Sequence, residues 1–163
     1  MSRRFGQVPV NLWLTREFKA LSDKGKLAVL FFWCGPHSTS AGIGRLPDAY
    51  AAADLACSQP EWENARQEAQ DAGYIERDPE TENVFVHNYL ISNRPVNAKH
   101  RAAIINQISN VECDALRELA ETALADIDAD AMAKSATASK PSPDARPSND
   151  LSPQLRAISG SRQ

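Results

Sequence analysis

All 11 aromatic side chains of this 163-residue chain lie between Phe5 and Tyr89, which confines where a core can form. From Asp128 to the end run 36 residues with four prolines, seven serines and no aromatic side chain. Such a segment buries too little apolar surface to offset its chain entropy, so residues 128–163 are expected to be a disordered tail. What precedes it suffices for one modest core.

Formal charge is −3, from 18 Lys and Arg against 21 Asp and Glu, so net charge alone cannot hold this chain on nucleic acid. Cys34, Cys57 and Cys113 are odd in number and widely spaced, which fits a reducing cytoplasm better than a disulfide framework. The start, MSRRFGQVPVNLW, has no continuous apolar run, so no signal peptide is expected there. Leu27 to Gly35 is the longest near-apolar run, about half the roughly 20 residues a membrane span needs.

Thr15 opens a short helix to Leu21, and Ser22 caps a second, SDKGKLAVLFFWCGP. Leu27, Leu30, Phe31 and Cys34 give that helix an inward stripe, and Phe32 and Trp33 extend it almost all round. A short strand fits Ile43 to Leu46, followed by a helix from Asp48 with Tyr50 and Ala53 turned inward. Ser58-x-x-Glu61 is a capping box with Pro60 in the first turn. Trp62, Ala65, Ala69 and Ala72 then form one stripe, and Gly73 stands where a left-handed helix end is needed. Tyr74–Arg77 and Val84–Tyr89 flank the polar turn DPETEN, which predicts a β-hairpin. Asn97 can cap a helix with Ile104, Ile105 and Ile108 on one face. A last helix over 113–127 aligns Leu116, Leu119, Ala123, Leu124 and Ile127. That stripe must pack either on the core or on a second copy, which would make a homodimer.

Helix, short strand, helix, turn, helix, hairpin is the order of a winged helix-turn-helix. The expected class is mainly α with a small β-hairpin (α+β): a winged domain and following helix over 1–111, an amphipathic helix over 112–127, and the tail. Leu12-Trp13, Phe18 and Leu21-Ser22 lead into the first core helix, and Gly44-Arg45-Leu46 precedes the second. Ala72-Gly73-Tyr74-Ile75 enters the hairpin, and Val86-x-Asn88-Tyr89 and Asn93-Arg94-Pro95-x-Asn97-x-Lys99 follow it. In these residues, over roughly 8–101, the chain resembles the N-terminal winged-helix module of phage replisome-organiser and replication-initiation proteins. The resemblance implies double-stranded DNA as partner, in a phage or mobile element. The role implied is replication initiation and organisation, or transcriptional control, in the cytoplasm of a bacterial host.

Charge complicates that reading. Residues 58–73 hold Glu61, Glu63, Glu68 and Asp71 against Arg66 alone. The outward Asn64, Arg66, Gln67 and Gln70 can read base edges, or they can be a solvated face. Between Glu82 and Glu112, 29 residues carry no acid, and Arg94, Asn97, Lys99, His100 and Arg101 gather there as candidate phosphate contacts, with Asn93 and Asn106 as neutral donors. Arg3 and Arg4 could join them from the N-terminal arm. The acidic helix supports a second class, a winged-helix protein-interaction adapter without direct DNA contact.

An enzyme is not expected. Cys34-x-x-His37 is half a zinc spacing without a second pair, and Asp126, Asp128 and Asp130 read as a solvated helix end. No phosphate loop, nucleophile elbow or paired catalytic histidine is present, and no cofactor is implied. In the tail, Leu151, Leu155 and Ile158 behind Ser152-Pro153 would form one apolar edge for a replication partner.

Overall fold

The computed structural model describes residues 6–138. Arg3, Arg4 and the tail from residue 139, with Leu151, Leu155 and Ile158, lie outside the described residues. Seven helices and a three-stranded antiparallel sheet make a mainly helical α+β architecture.

Local capping chemistry starts most helices. A 3₁₀ turn at Val10–Leu14 precedes α1 (Arg16–Ala20), where the Thr15 hydroxyl accepts the Phe18 N–H at 3.3 Å. Helix α2 (Asp23–Cys34) begins at Ser22, whose hydroxyl accepts the Gly25 N–H at 3.0 Å. Strand β1 (Ile43–Arg45) and α3 (Asp48–Asp54) follow. Helix α4 (Gln59–Asp71) carries the capping box: the Glu61 carboxylate accepts the Ser58 N–H at 3.0 Å and its hydroxyl at 2.8 Å. Gly73, at φ +77°, ends it as a left-handed C′ residue.

Strands β2 (Ile75–Arg77) and β3 (Asn83–Val86) form the hairpin, and β1 pairs on the far side, so the order is β1-β3-β2. Ile43 faces Phe85 in one ladder and Ile75 faces Val86 in the other. Val84, Phe85 and Val86 are all buried, although neighbours on a strand point to opposite faces. Both faces of β3 are therefore covered. Val84 and Val86 line a crevice with Phe31 and Phe32 of α2, while Phe85 lies with Ala123 and Ile127 of the last helix. A one-turn helix α5 (Tyr89–Ser92) stands where the strand was expected to continue to Tyr89. Helix α6 (Ala98–Ser109) is capped by Asn97, whose Oδ1 accepts the His100 N–H at 2.8 Å.

Three registers differ from the expected ones. On α2 the buried face is Gly25, Ala28, Val29 and Phe32 with Phe31 and Trp33; Leu27 is 48% exposed and Cys34 is exposed. A segment apolar almost all round offers several equivalent stripes, and close approach to α4 selects the one with small residues. Ser22 and Gly25 meet α4 at Glu68, whose carboxylate would lie 2.5 Å from a Cβ at Gly25. On α3, Ala51 and Ala52 are buried, whereas Tyr50 is 59% exposed and Ala53 points outward. On α6, Ile105 is exposed beside buried Ile104 and Ile108.

Helix α7 (Asp114–Ala138) bears on two further expectations. It runs 11 residues past Ile127, so the tail does not begin at residue 128. The alanine-rich DADAMAKSATA simply continues a helix already anchored by packing. Leu116, Ala120, Leu124 and Ile127 are buried against this chain's own α5, α6 and β3, with Leu119 and Ala123 partly so. The stripe proposed for a homodimer is thus covered by the same chain. One apolar cluster runs from Leu12 to Ile127, so the helix expected over 112–127 contributes to the same core as the residues before it.

Candidate nucleic-acid interface

Two surfaces were expected to meet DNA, and each is built differently from what its sequence suggests. On α4, Arg66 turns inward. Its Nε donates to Asp48 Oδ1 at 2.9 Å, and the same oxygen accepts the Trp62 indole N–H at 2.7 Å. Arg77 of β2 reaches Asp48 Oδ2 at 3.1 Å. The three charged side chains are only 10–14% exposed, so Arg66 joins α3, α4 and the hairpin and does not face outward to guanine. Glu68 is structural too: it accepts the Ser22 N–H at 3.0 Å and hydroxyl at 2.8 Å, tying α4 to the start of α2.

Exposed side chains of α4 include Glu61, Asn64, Gln67 and Asp71, with Glu63 and Gln70 half-buried. Two amides already hold carboxylates one turn away, Gln59 to Glu63 and Gln67 to Asp71, each at 2.8 Å. Beside this face, the hairpin tip carries Asp78, Glu80 and Glu82. Arg45 of β1 is paired with Glu82 at 2.7 Å. The Thr81 hydroxyl and N–H, bound to Asp78, hold that carboxyl below its ordinary value. Where a phosphate contact needs cations, the α4–hairpin surface presents acids.

The second surface is the run from Arg94 to Arg101. Arg94 Nη2 bonds Asp130 at 2.6 Å, and Arg101 Nε reaches both oxygens of Asp128 at 3.1 and 3.2 Å. Asp126, Asp128 and Asp130 are thus not merely a solvated helix end, since two of them face cations. The Arg101 hydrogen bond holds Asp128 below its ordinary pKa and raises that of Arg101; hydrogen bonds from Arg94, then Lys134, hold Asp130 below its own. Lys99 is exposed. His100 Nδ1 accepts the Val96 N–H at 3.3 Å. Asn97 is a helix cap. Asn93 is buried and clasps Gln7 in both directions at 3.1 Å, so it fixes the N-terminal segment rather than facing solvent. Arg3 and Arg4 lie outside the described residues.

Residues 6–138 hold 19 acidic against 12 basic side chains, so the described body is more acidic than the whole chain. Among the described residues no cluster of His, Cys, Asp or Glu could hold a metal ion, and His37 Nε2 pairs with Asp54 at 2.9 Å. No described helix is long and apolar enough to cross a membrane. Compared with protein-family models, curated proteins and solved structures, the chain has no significant match.

The α4 cap makes acid stability predictable. The Lys24 ammonium bound to Glu61, then the Ser58 N–H and hydroxyl, lower its carboxyl from 4.5 to about 2. A carboxyl depressed in the folded state stabilises the fold above its unfolded value and loses that contribution as pH falls through the folded one. Stability should therefore hold from neutral pH to about 5 and decline toward about 2. Glu61→Gln should reduce that decline in urea melts taken across the range; an unchanged acid profile would remove Glu61 from the account.

Proposed function

We propose that this chain is a winged-helix module that works by contacting protein, its α4–hairpin face accepting a basic partner surface. The order α2, β1, α3, α4, β2, β3 supports the winged-helix reading, with the β2–β3 hairpin as wing and α4 in the place of the recognition helix. One observation carries the protein-contact reading: Arg66 and Arg77, the cations of α4 and the wing, are turned into Asp48, leaving Glu63, Asp71, Asp78 and Glu80 around the outer face. Carboxylates there repel phosphate and attract Lys and Arg, and such complementarity governs partner choice and encounter rate. The resemblance to phage replication modules supports a setting in a phage or mobile element, in replication initiation or transcriptional control within the host cytoplasm. The role is binding rather than catalysis.

A labelled oligo-arginine peptide tests the face. Replacing Glu63, Asp71 and Glu80 by their amides should weaken its binding about tenfold at low salt. Amides at Glu112, just before α7, and at Glu118 and Glu121 on it make the same charge change elsewhere and should have little effect. Equal losses from both sets would overturn the assignment of the face.

DNA binding keeps one support as a second reading. Arg94 lies just before α6 and Lys99 and Arg101 on its first turn, a stretch of chain without acids.

A further inference from the structure

We infer that the C-terminal part of α7 is a removable cover over two DNA-binding arginines, Arg94 and Arg101, with Lys99 on the first turn of α6 outside the cover, and with Asp128 and Asp130 standing where backbone phosphates would stand. The inference goes beyond the protein-contact reading, because it concerns a different face and the opposite charge.

The covering contact is shaped like phosphate recognition. The Arg101 guanidinium meets both oxygens of Asp128, the forked arrangement by which Arg also grips a phosphate. Arg94 meets Asp130 at 2.6 Å. Lys99 lies exposed between the two arginines in sequence, on the first turn of α6. The 29-residue stretch without acids therefore receives its counter-charge from a remote helix, across 27 and 36 residues of chain.

The cover is also weakly held. Ile127 is the last residue of α7 in the buried cluster, and Ala129 and Ala131 beyond it are exposed. Both ion pairs are partly solvated, with Arg94 38% and Arg101 44% exposed, and exposed pairs contribute little to stability. Asp130 also bonds Lys134 at 2.9 Å, so lifting it from Arg94 does not strand its charge. A duplex, by contrast, offers a row of phosphates and releases counterions as it binds. Two carboxylates can reduce such binding but cannot match it, which suits a cover that yields to DNA.

The test uses the full chain and a labelled DNA duplex, with anisotropy followed over a range of salt. Asp128→Asn with Asp130→Asn should bind about tenfold tighter than the unmodified chain at low salt. Glu118→Gln with Glu121→Gln makes the same change in net charge on α7 and should give a clearly smaller gain. Adding Arg94→Gln, Lys99→Gln and Arg101→Gln to the Asp128/Asp130 variant should abolish the gain and flatten the salt slope by about three. If the Asp128/Asp130 variant binds no tighter than the Glu118/Glu121 control, there is no cover. Hydrogen exchange supplies a readout without mutation: DNA should speed exchange over residues 128–134 and leave 114–127 protected, and unchanged exchange under saturating duplex would equally overturn the proposal. Neither outcome bears on the α4–hairpin face, which the peptide experiment tests separately.

Discussion

Asp48→Ala should destabilise the fold by about 3–5 kcal/mol, because it removes the one carboxylate shared by two nearly buried guanidiniums. Asp48 accepts from Arg66 at 2.9 Å, Arg77 at 3.1 Å and the Trp62 indole at 2.7 Å. Arg77 Nε is already buried without a hydrogen-bond partner, so its guanidinium has little to fall back on once Asp48 is gone. A loss of that size is a large part of the roughly 5–15 kcal/mol that holds a domain of this kind. The cluster joins α3, α4 and the hairpin, so the variant should also loosen the proposed binding face. Urea unfolding decides the matter: a cost under about 1 kcal/mol would mean that the arginines find other partners or water. Asp48→Asn keeps an acceptor without the charge, and its smaller loss would separate hydrogen bonding from ion pairing.

Trp62→Ala should cost about 3–5 kcal/mol for a different reason. Trp62 is 1% exposed, with Phe31 and Phe32 each at a ring-centre distance of 5.4 Å. Its removal leaves a void between α2 and α4 beside these two rings, and a close-packed interior relaxes into such a void only in part. Trp62→Phe should recover most of the packing while losing the bond to Asp48. Because Trp62 and Asp48 are bonded, the double variant should cost less than the two singles together, by about 0.5–3 kcal/mol. Strict additivity in that cycle would show that the indole bond contributes nothing to the cluster.

Much of the local structure was legible before any tertiary contact was known. Thr15, Ser22, Ser58 with Glu61, Asn97 and Gly73 all act as the helix boundaries their types announce. The Trp62-Ala65-Ala69 stripe was equally plain, since one apolar face on an otherwise polar helix leaves no choice of side. Helix α2 shows where that logic stops: its apolar surface runs nearly all round, so periodicity could not pick among stripes, and Leu27 was assigned to the core that it avoids. Tyr50 misled for a related reason. On a helix of seven residues, burying the small Ala51 and Ala52 allows close approach to α4 and leaves the large ring outside.

The candidate site was legible as a list of residues but not as an electrostatic surface. Arg66, Arg94 and Arg101 were singled out as free cations, yet their carboxylates lie 18, 36 and 27 residues away. Asp128 and Asp130, which looked like a solvated helix end, are the partners of two of them. Helix caps, turn residues and single-face stripes rest on hydrogen bonds and packing among residues a few positions apart, so the order of types along the chain determines them. Whether a charge faces water, phosphate or another side chain depends on Coulomb terms that change steeply over a few ångströms. Those separations are set by how α7 lies across α6 and how the hairpin lies against α3, and only the tertiary structure decides them.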